Sequence, residues 1–257
     1  MISKVLANPK VKVSVIMPAY EVEDEIVDVV YSTMEALAKV VNDYELIIVD
    51  DGSRDGTFEK LKMLAKDNHV KIVRYPVNLG KGAAVKTGVR YATGEYAILL
   101  DADRDIDPGN IRFYIEALKE YDVVVGSKRH PSTIYEAPFI RKFLSLGFNA
   151  IVKLLTGIRV GDTQTGFKAF KTRHLKTIMD IIVVKRYAYD VEVLAVAHML
   201  GLKILEAPVR IRQKRMFKLR EALRMLLDIL GITYRLRVVR WYQRNISKVK
   251  PKPLSRI

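Results

Sequence analysis

Two short runs constrain this chain more than any other feature. At residues 45–50 (ELIIVD) and 96–101 (YAILLD), four and five consecutive apolar residues lead into a terminal aspartate. A strand with one wet face alternates polar and apolar residues, so an unbroken apolar run belongs to a parallel sheet covered on both sides. Related runs occur at residues 13–17, 71–74 and 122–125, with helical patterns between them at 23–40, 57–66, 82–91 and 108–120. This alternation predicts an α/β fold, a mostly parallel, doubly wound sheet flanked by helices. Such sheets bind ligands beyond the carboxyl ends of their strands.

The second half reads less regularly. Residues 138–160 carry apolar positions Phe139, Phe143, Leu146 and Ile151 and predict a helix. An extended segment follows at 160–170, then a helix from "YAYDVEVLAVAHML" with Asp190 and Glu192 in its first turn, then a last strand in "LKILEAPVRI". The 257 residues, 49% hydrophobic, suffice for one large α/β domain or two small ones. With no cysteine, disulfides and thiolate-ligated metals are excluded. No stretch is long and apolar enough for a signal peptide or a membrane span, so a cytoplasmic protein, soluble or peripheral, is expected.

Charge is uneven. The net value is +15, and residues 212–252 alone hold thirteen Lys or Arg against Glu221 and Asp228. That asymmetry calls for an anionic partner: nucleic acid, a membrane surface or a phosphorylated ligand. Leu219, Ala222, Leu223, Leu226, Leu227 and Leu230 recur at helical spacing within this segment, and Ile232, Leu236, Val239, Tyr242 and Ile246 extend a second face. Basic amphipathic helices bearing Trp241 and Tyr242 fit an anionic membrane interface; packing against the rest of the chain is the competing reading. The tail beyond Pro251 reads as frayed.

Three strand ends carry suggestive residues on one sheet edge: Pro18-Ala19-Tyr20, Asp50-Asp51-Gly52-Ser53 and Asp101-Ala102-Asp103. Any one is ordinary turn and cap chemistry. Three together mark a ligand edge. After Leu100 come four acids in seven residues, Asp101, Asp103, Asp105 and Asp107, an arrangement that is costly unless a cation compensates it. Two carboxylates one residue apart suit a hard divalent ion, Mg2+ or Mn2+, shared with a diphosphate. "GKGAAVKT" at 80–87 lacks the second glycine of a phosphate loop, no GxGxxG is present, and the four histidines show no metal spacing.

In order along residues 12–107, "VSVIMPAYEVEDEI", "ELIIVDDGSRDGT", "NLGKGAAVKTG" and "LLDADRD" resemble glycosyltransferase family 2, nucleotide-sugar transferases of the Rossmann-like GT-A fold. Further on, "VVGSKR", "RKFLSLGFN", "GDTQTGFKAF", "YAYDVEVL" and "APVRIRQK" look like the dolichyl-phosphate sugar synthases. The Asp-Thr-Gln-x-Gly-Phe-Lys motif at residues 162–168 is most similar to the dolichyl-phosphate β-glucosyltransferase branch. Two departures stand out: no transmembrane anchor is evident, and Arg104-Asp105 follows the DxD.

The resemblance implies a GT-A catalytic domain over residues 1–211 and a basic, membrane-proximal segment over 212–257. It implies an inverting, metal-dependent hexosyltransferase moving glucose or N-acetylglucosamine from a UDP-sugar to dolichyl or polyprenyl phosphate, for N-glycosylation or glycolipid assembly. Pro18, Ala19 and Tyr20 would line the nucleobase end, Glu21 or Asp50 would bind uridine or ribose, and Asp51, Lys81, Asp101 and Ala102 complete the expected nucleotide set. The metal would fall to Asp101 and Asp103, with Asp105 as a third ligand. Lys128, Arg129, Arg141, Lys168 and Arg212, with Ser145 and Gln164, are candidates for the acceptor phosphate; Asp162 and Asp190 would orient those cations or the sugar. The alternatives are a GDP-mannose enzyme, a family 2 transferase acting on a hydroxyl acceptor, and a catalytically silent nucleotide- or nucleic-acid-binding module.

Overall fold

A computed structural model describes residues 11–158, 160–213 and 219–249; the basic run at 214–218 and the tail beyond Pro251 lie outside the described residues, as do the side chains of Leu219 and Ala222. The chain alternates β1 (Lys12–Ala19), α1 (Ile26–Ala38), β2 (Asp43–Asp50), α2 (Thr57–Leu64), β3 (Val70–Arg74), α3 (Lys81–Tyr91) and β4 (Tyr96–Leu100). A 3-10 turn and α4 (Ile111–Ala117) lead to β5 (Val123–Gly126), β6 (Ile134–Glu136) and α5 (Phe139–Thr156). There follow β7 (Phe167–Lys171), α6 (Thr172–Ile181), α7 (Tyr189–Met199), β8 (Ile204–Ala207), β9 (Arg210–Arg212), α8 (Leu219–Arg237) and α9 (Trp241–Val249).

Seven strands form one sheet in the order β3-β2-β1-β4-β7-β5-β8. All pairings are parallel except those of β7, which runs antiparallel between β4 and β5. The apolar runs behave as expected. Every residue of β4 is buried, and the two faces of the sheet feed two separate hydrophobic clusters. On one face α1 buries Ile26, Val29, Val30 and Leu37, the i, i+3, i+4 spacing of an amphipathic helix. From β1 the chain winds outward to β2 and β3, then returns to β4 on the other side. The direction of winding therefore reverses between β1 and β4, which opens a crevice at their carboxyl ends.

Three features bear on the sequence reading. The predicted last strand breaks at Pro208 into β8 and β9, and β9 pairs with β6 in a small second sheet. Within the C-terminal segment the described residues pack on the rest of the chain, the competing reading of the sequence: Ile229, Ile232, Tyr242 and Ile246 are buried in the same cluster as the main sheet. Tyr242 donates to the buried Glu192 carboxylate (2.5 Å), and the Trp241 indole donates to the Ile181 carbonyl (3.2 Å). Finally, α5 is inside out. Its inward face holds Arg141, Asn149, Val152 and Thr156, whereas Phe139 (82% exposed), Phe143 (67%) and Leu154 (77%) face outward.

Candidate active site

At the reversal point lies a cleft of about 450 Å3. It is lined by Pro18, Ala19 and Tyr20 at the end of β1, by Asp51 and Lys81, and by Asp101, Ala102 and Asp103 after β4. Eight of the expected nucleotide and metal residues thus meet in one place. Backbone strain accompanies them. Glu21 sits at φ 50°, a conformation costly for a residue with a side chain, and its amide donates to Ser53 Oγ (3.1 Å). It does not line the cleft. Gly52 (φ 73°) turns the chain after β2 where a Cβ would come 2.8 Å from the Asn78 amide.

The two acids at the end of β2 separate. Asp50 is fully buried, accepts from the Ser53 amide (3.0 Å) and pairs with Arg74 Nε (3.1 Å). Asp51 reaches the cleft and accepts from the amides of Leu79 (2.7 Å) and Gly80 (2.8 Å), so it ties the β3–α3 loop to the site. Burial raises its carboxyl above the usual range although both amides pull it down. Of the two acids expected at the nucleotide, Asp51 therefore lines the cleft and Asp50, buried against Arg74, does not.

Lys81, the first residue of α3, does not point at open space. Its ammonium sits 2.6 and 2.8 Å from the two carboxylate oxygens of Asp101. Burial alone would lower its pKa, but Asp101, Asp190 and Asp103 raise it. Asp103 is pushed up to about 7 by burial and by the charges of Asp101 and Asp105, only partly relieved by Lys81. The Asp105 amide donates to Asp103 Oδ1 (3.1 Å). Asp101, Asp103 and Asp105 do not converge on one point: among the described residues, no group of three acids or histidines is arranged to hold a metal. The expected third ligand is thus corrected. What remains is the Asp101–Asp103 pair, and its repulsion fits a divalent ion whose other ligands are phosphate oxygens.

Gly166 lies against the Asp101 carboxylate. A Cβ there would overlap the Asp101 carboxylate, all three atoms of which lie within 2.7 Å of its position. The antiparallel register Leu100↔Phe167 delivers residues 162–166 to this place. Within that loop Asp162, fully buried, accepts from Thr165 Oγ1 (2.6 Å), the Gln164 amide (3.0 Å) and the Lys128 amide (3.1 Å), with Lys128 Nζ at 3.6 Å. Its carboxyl is lowered despite burial by Lys128 and these donors.

The cations expected to hold an acceptor phosphate divide into groups. Lys168 is 1% exposed, with its ammonium enclosed by Asp190 (2.6 Å) and the Thr165 carbonyl. It braces the loop and offers no free charge, which corrects its assignment; Asp190, equally buried, is spent on Lys168. Lys128 lies over the Tyr135 ring (5.7 Å), and Arg141, 8% exposed, is close enough to Tyr135 to lower its hydroxyl against the rise that burial causes. Ser145 is half-buried one turn beyond Arg141, and Gln164 is half-buried beside Asp162. Arg129 is exposed, and Arg212, also exposed, pairs with Glu136 (2.7 Å).

The profile of glycosyl transferase family 2 matches residues 14–179. The chain belongs to glycosyl transferase family 2. Like the family, it is a glycosyltransferase, and the mixed sheet is the GT-A arrangement. A dolichyl-phosphate beta-glucosyltransferase of Trichomonas vaginalis is 31% identical over 250 residues, 91% of this chain and 77% of its own. The enzyme of that description from Dictyostelium discoideum is 28% identical over 268 residues, covering 95% and 79%. Glucosyl-3-phosphoglycerate synthase from Mycobacterium tuberculosis, solved with Mn2+, UDP and glucosyl-3-phosphoglycerate, superposes with a TM-score of 0.67 at 20% identity, over 87% of this chain and 79% of its own. That likeness establishes the shared fold.

Sequence reasoning missed part of the site of this family 2 member. Arg186, Arg224 and Asp228 also line the cleft, so α8, read from sequence as membrane-facing, contributes to the site. Burial raises the Asp228 carboxyl, offset in part by Arg186 and Arg235. Tyr135, between Lys128 and Arg141, was missed as well, because a lone tyrosine in a short strand carries no pattern.

Proposed function

We propose that the protein transfers glucose or a related hexose from a UDP-sugar to a dolichyl or polyprenyl phosphate, with inversion at the anomeric carbon. The observation that carries this reading is one sheet edge that holds an acidic pair and a pair of cations side by side. Asp101 and Asp103 face a cleft of nucleotide size, and Lys128 and Arg141 cluster at Tyr135 beside Asp105. The names of the relatives support the acceptor, and the UDP bound to the fold neighbour supports the donor.

The acceptor's phosphate oxygen attacks C1 of the sugar while the bond from C1 to the diphosphate oxygen breaks, through an oxocarbenium-like transition state. UDP departs with the electron pair and a glycosyl phosphodiester remains. The attacking oxygen is already ionised at neutral pH, so no side chain must remove a proton. Arg141 and Lys128 hold the acceptor in line, and Asp162 fixes Lys128 through its amide and ammonium. A Mg2+ or Mn2+ ion held by Asp101, Asp103 and the diphosphate would supply Lewis-acid neutralisation of the leaving group.

The outward apolar face of α5, continued by Leu223, Leu227 and Leu230 of α8 and by Val238 just after it, suits a peripheral seat on the cytoplasmic face of a membrane. Arg220, Arg240 and Arg244 lie near it in sequence and favour anionic lipid. No helix among the described residues is long and apolar enough to cross a membrane. The test is incubation with UDP-glucose, UDP-N-acetylglucosamine and GDP-mannose, each with dolichyl phosphate, with and without chelator. Transfer from a UDP-sugar that chelator stops, and that Asp103→Ala abolishes in a folded protein, is expected. Transfer from GDP-mannose alone would overturn the donor, and undiminished turnover by the variant would overturn the metal assignment.

A further inference from the structure

The Lys81 ammonium lies almost symmetrically on both oxygens of Asp101, at 2.6 and 2.8 Å. That is where a cation shared by the two oxygens of one carboxylate sits. The position is enclosed but reachable: the Lys81 side chain is 17% exposed and that of Asp101 24%. Of the other acids near Lys81, Asp190 is bound by Lys168 at 2.6 Å and Asp51 by two backbone amides, which leaves Asp103 as the neighbouring carboxylate. Asp103 also lines the cleft and accepts from the Asp105 amide.

We infer that Lys81 is a built-in occupant of the metal position at Asp101, released onto the donor's diphosphate, so that divalent ion and nucleotide load together. This rests on the metal-dependent reading above and adds an order of events to it. A divalent ion that approaches the empty cleft meets a carboxylate already neutralised and a positive charge beside it, and binds weakly. A diphosphate entering the same cleft gives the ammonium another anion. Lys81 swings by side-chain rotation alone, because its main chain is fixed at the start of α3, where the Ala83 amide bonds the Gly80 carbonyl (2.9 Å). Asp101 is then free to take the ion together with Asp103. Two positive charges that would compete at one carboxylate become shared over carboxylates and diphosphate. The device keeps crowded acids compensated in the resting enzyme and stops the metal from binding where there is no leaving group to neutralise.

The full-length protein is titrated with Mn2+, followed by electron paramagnetic resonance of the free ion, with and without UDP. In the wild type, UDP should tighten Mn2+ binding by about tenfold or more, the size of an ordinary coupling between sites. In Lys81→Met, Mn2+ alone should bind about tenfold tighter than to the wild type, and UDP, still a ligand of the ion, should tighten it further by a smaller factor than in the wild type. The melting temperature of Lys81→Met should also rise more on adding Mn2+ than that of the wild type, which gives a readout if the variant is less stable. Lys81→Arg should keep the wild-type pattern. Mn2+ binding by Lys81→Met no tighter than wild type, with coupling to UDP intact, would overturn this inference and leave the metal reading standing. No Mn2+ bound by any variant, with or without UDP, would overturn both.

Discussion

Replacing Gly166 with alanine puts a methyl group into the Asp101 carboxylate, whose three atoms all lie within 2.7 Å of the new Cβ. The main chain cannot back away. Gly166 accepts from the Asp101 amide (3.2 Å), and the next pair, Leu100 and Phe167, is locked in the ladder between β4 and β7. Phe167 is itself buried and stacked on Tyr114 at 4.1 Å. Relief therefore falls on the carboxylate, which must retreat by about 1 Å to regain van der Waals contact and leave Lys81. A misplacement of that size in a catalytic group costs roughly 100-fold, or about 2.7 kcal/mol of transition-state stabilisation. The assay is the initial rate of transfer from UDP-glucose to dolichyl phosphate, with circular dichroism as a check on folding. Gly147→Ala is the control, since a Cβ there meets nothing within 4 Å and the site is a helix interior. It should leave the rate alone and raise stability by about 0.5–1 kcal/mol. A folded Gly166→Ala enzyme with wild-type turnover would refute the claim that this contact sets the position of Asp101.

Glu45 is buried on β2, and burial pushes its carboxyl up. Lys71, Ser14 and Thr93 outweigh that and hold it down to about 2. A depressed acid stabilises the fold above its unfolded pKa and loses that contribution as pH falls through the folded value. Glu45→Gln should cost about 2–3 kcal/mol at pH 7, and the gap in urea midpoint should shrink between pH 4.5 and pH 2. Tyr242→Phe removes the hydroxyl that joins α9 to Glu192 and, through Arg235 Nε (3.1 Å), to α8. A loss of about 1–3 kcal/mol is expected, with faster tryptic cleavage at Arg237 and Arg240 as the readout. Phe143→Glu or Leu154→Glu alters a side chain that is already exposed, so the fold should persist. Binding to anionic liposomes should fall by about tenfold for each, if each apolar group inserts with about 1.5 kcal/mol or more; unchanged flotation would remove α5 from the membrane face.

The apolar runs at β2 and β4 determined a parallel sheet by themselves, because a continuous run has no wet face to offer. The edge that binds follows from the same pattern, since parallel strands place all their carboxyl ends together. Local chemistry also made Pro18 to Tyr20 and Asp101 to Asp103 legible, as polar groups where buried strands stop. Only the tertiary structure decided how those groups are spent. Asp50 and Asp51 are neighbours in sequence, yet opposite sides of one strand send the first to Arg74 and the second to the cleft. Lys168 reads as a free cation until Asp190, from a helix twenty residues on, is found against it. The helical periods of α5 and α8 predicted helices but not which side faces the protein: α5 turns its polar residues inward, and α8 presents Ile229 and Ile232 to the core and Leu227 to solvent. A period reports that two faces differ. Which of them is buried depends on what the rest of the chain brings up against it.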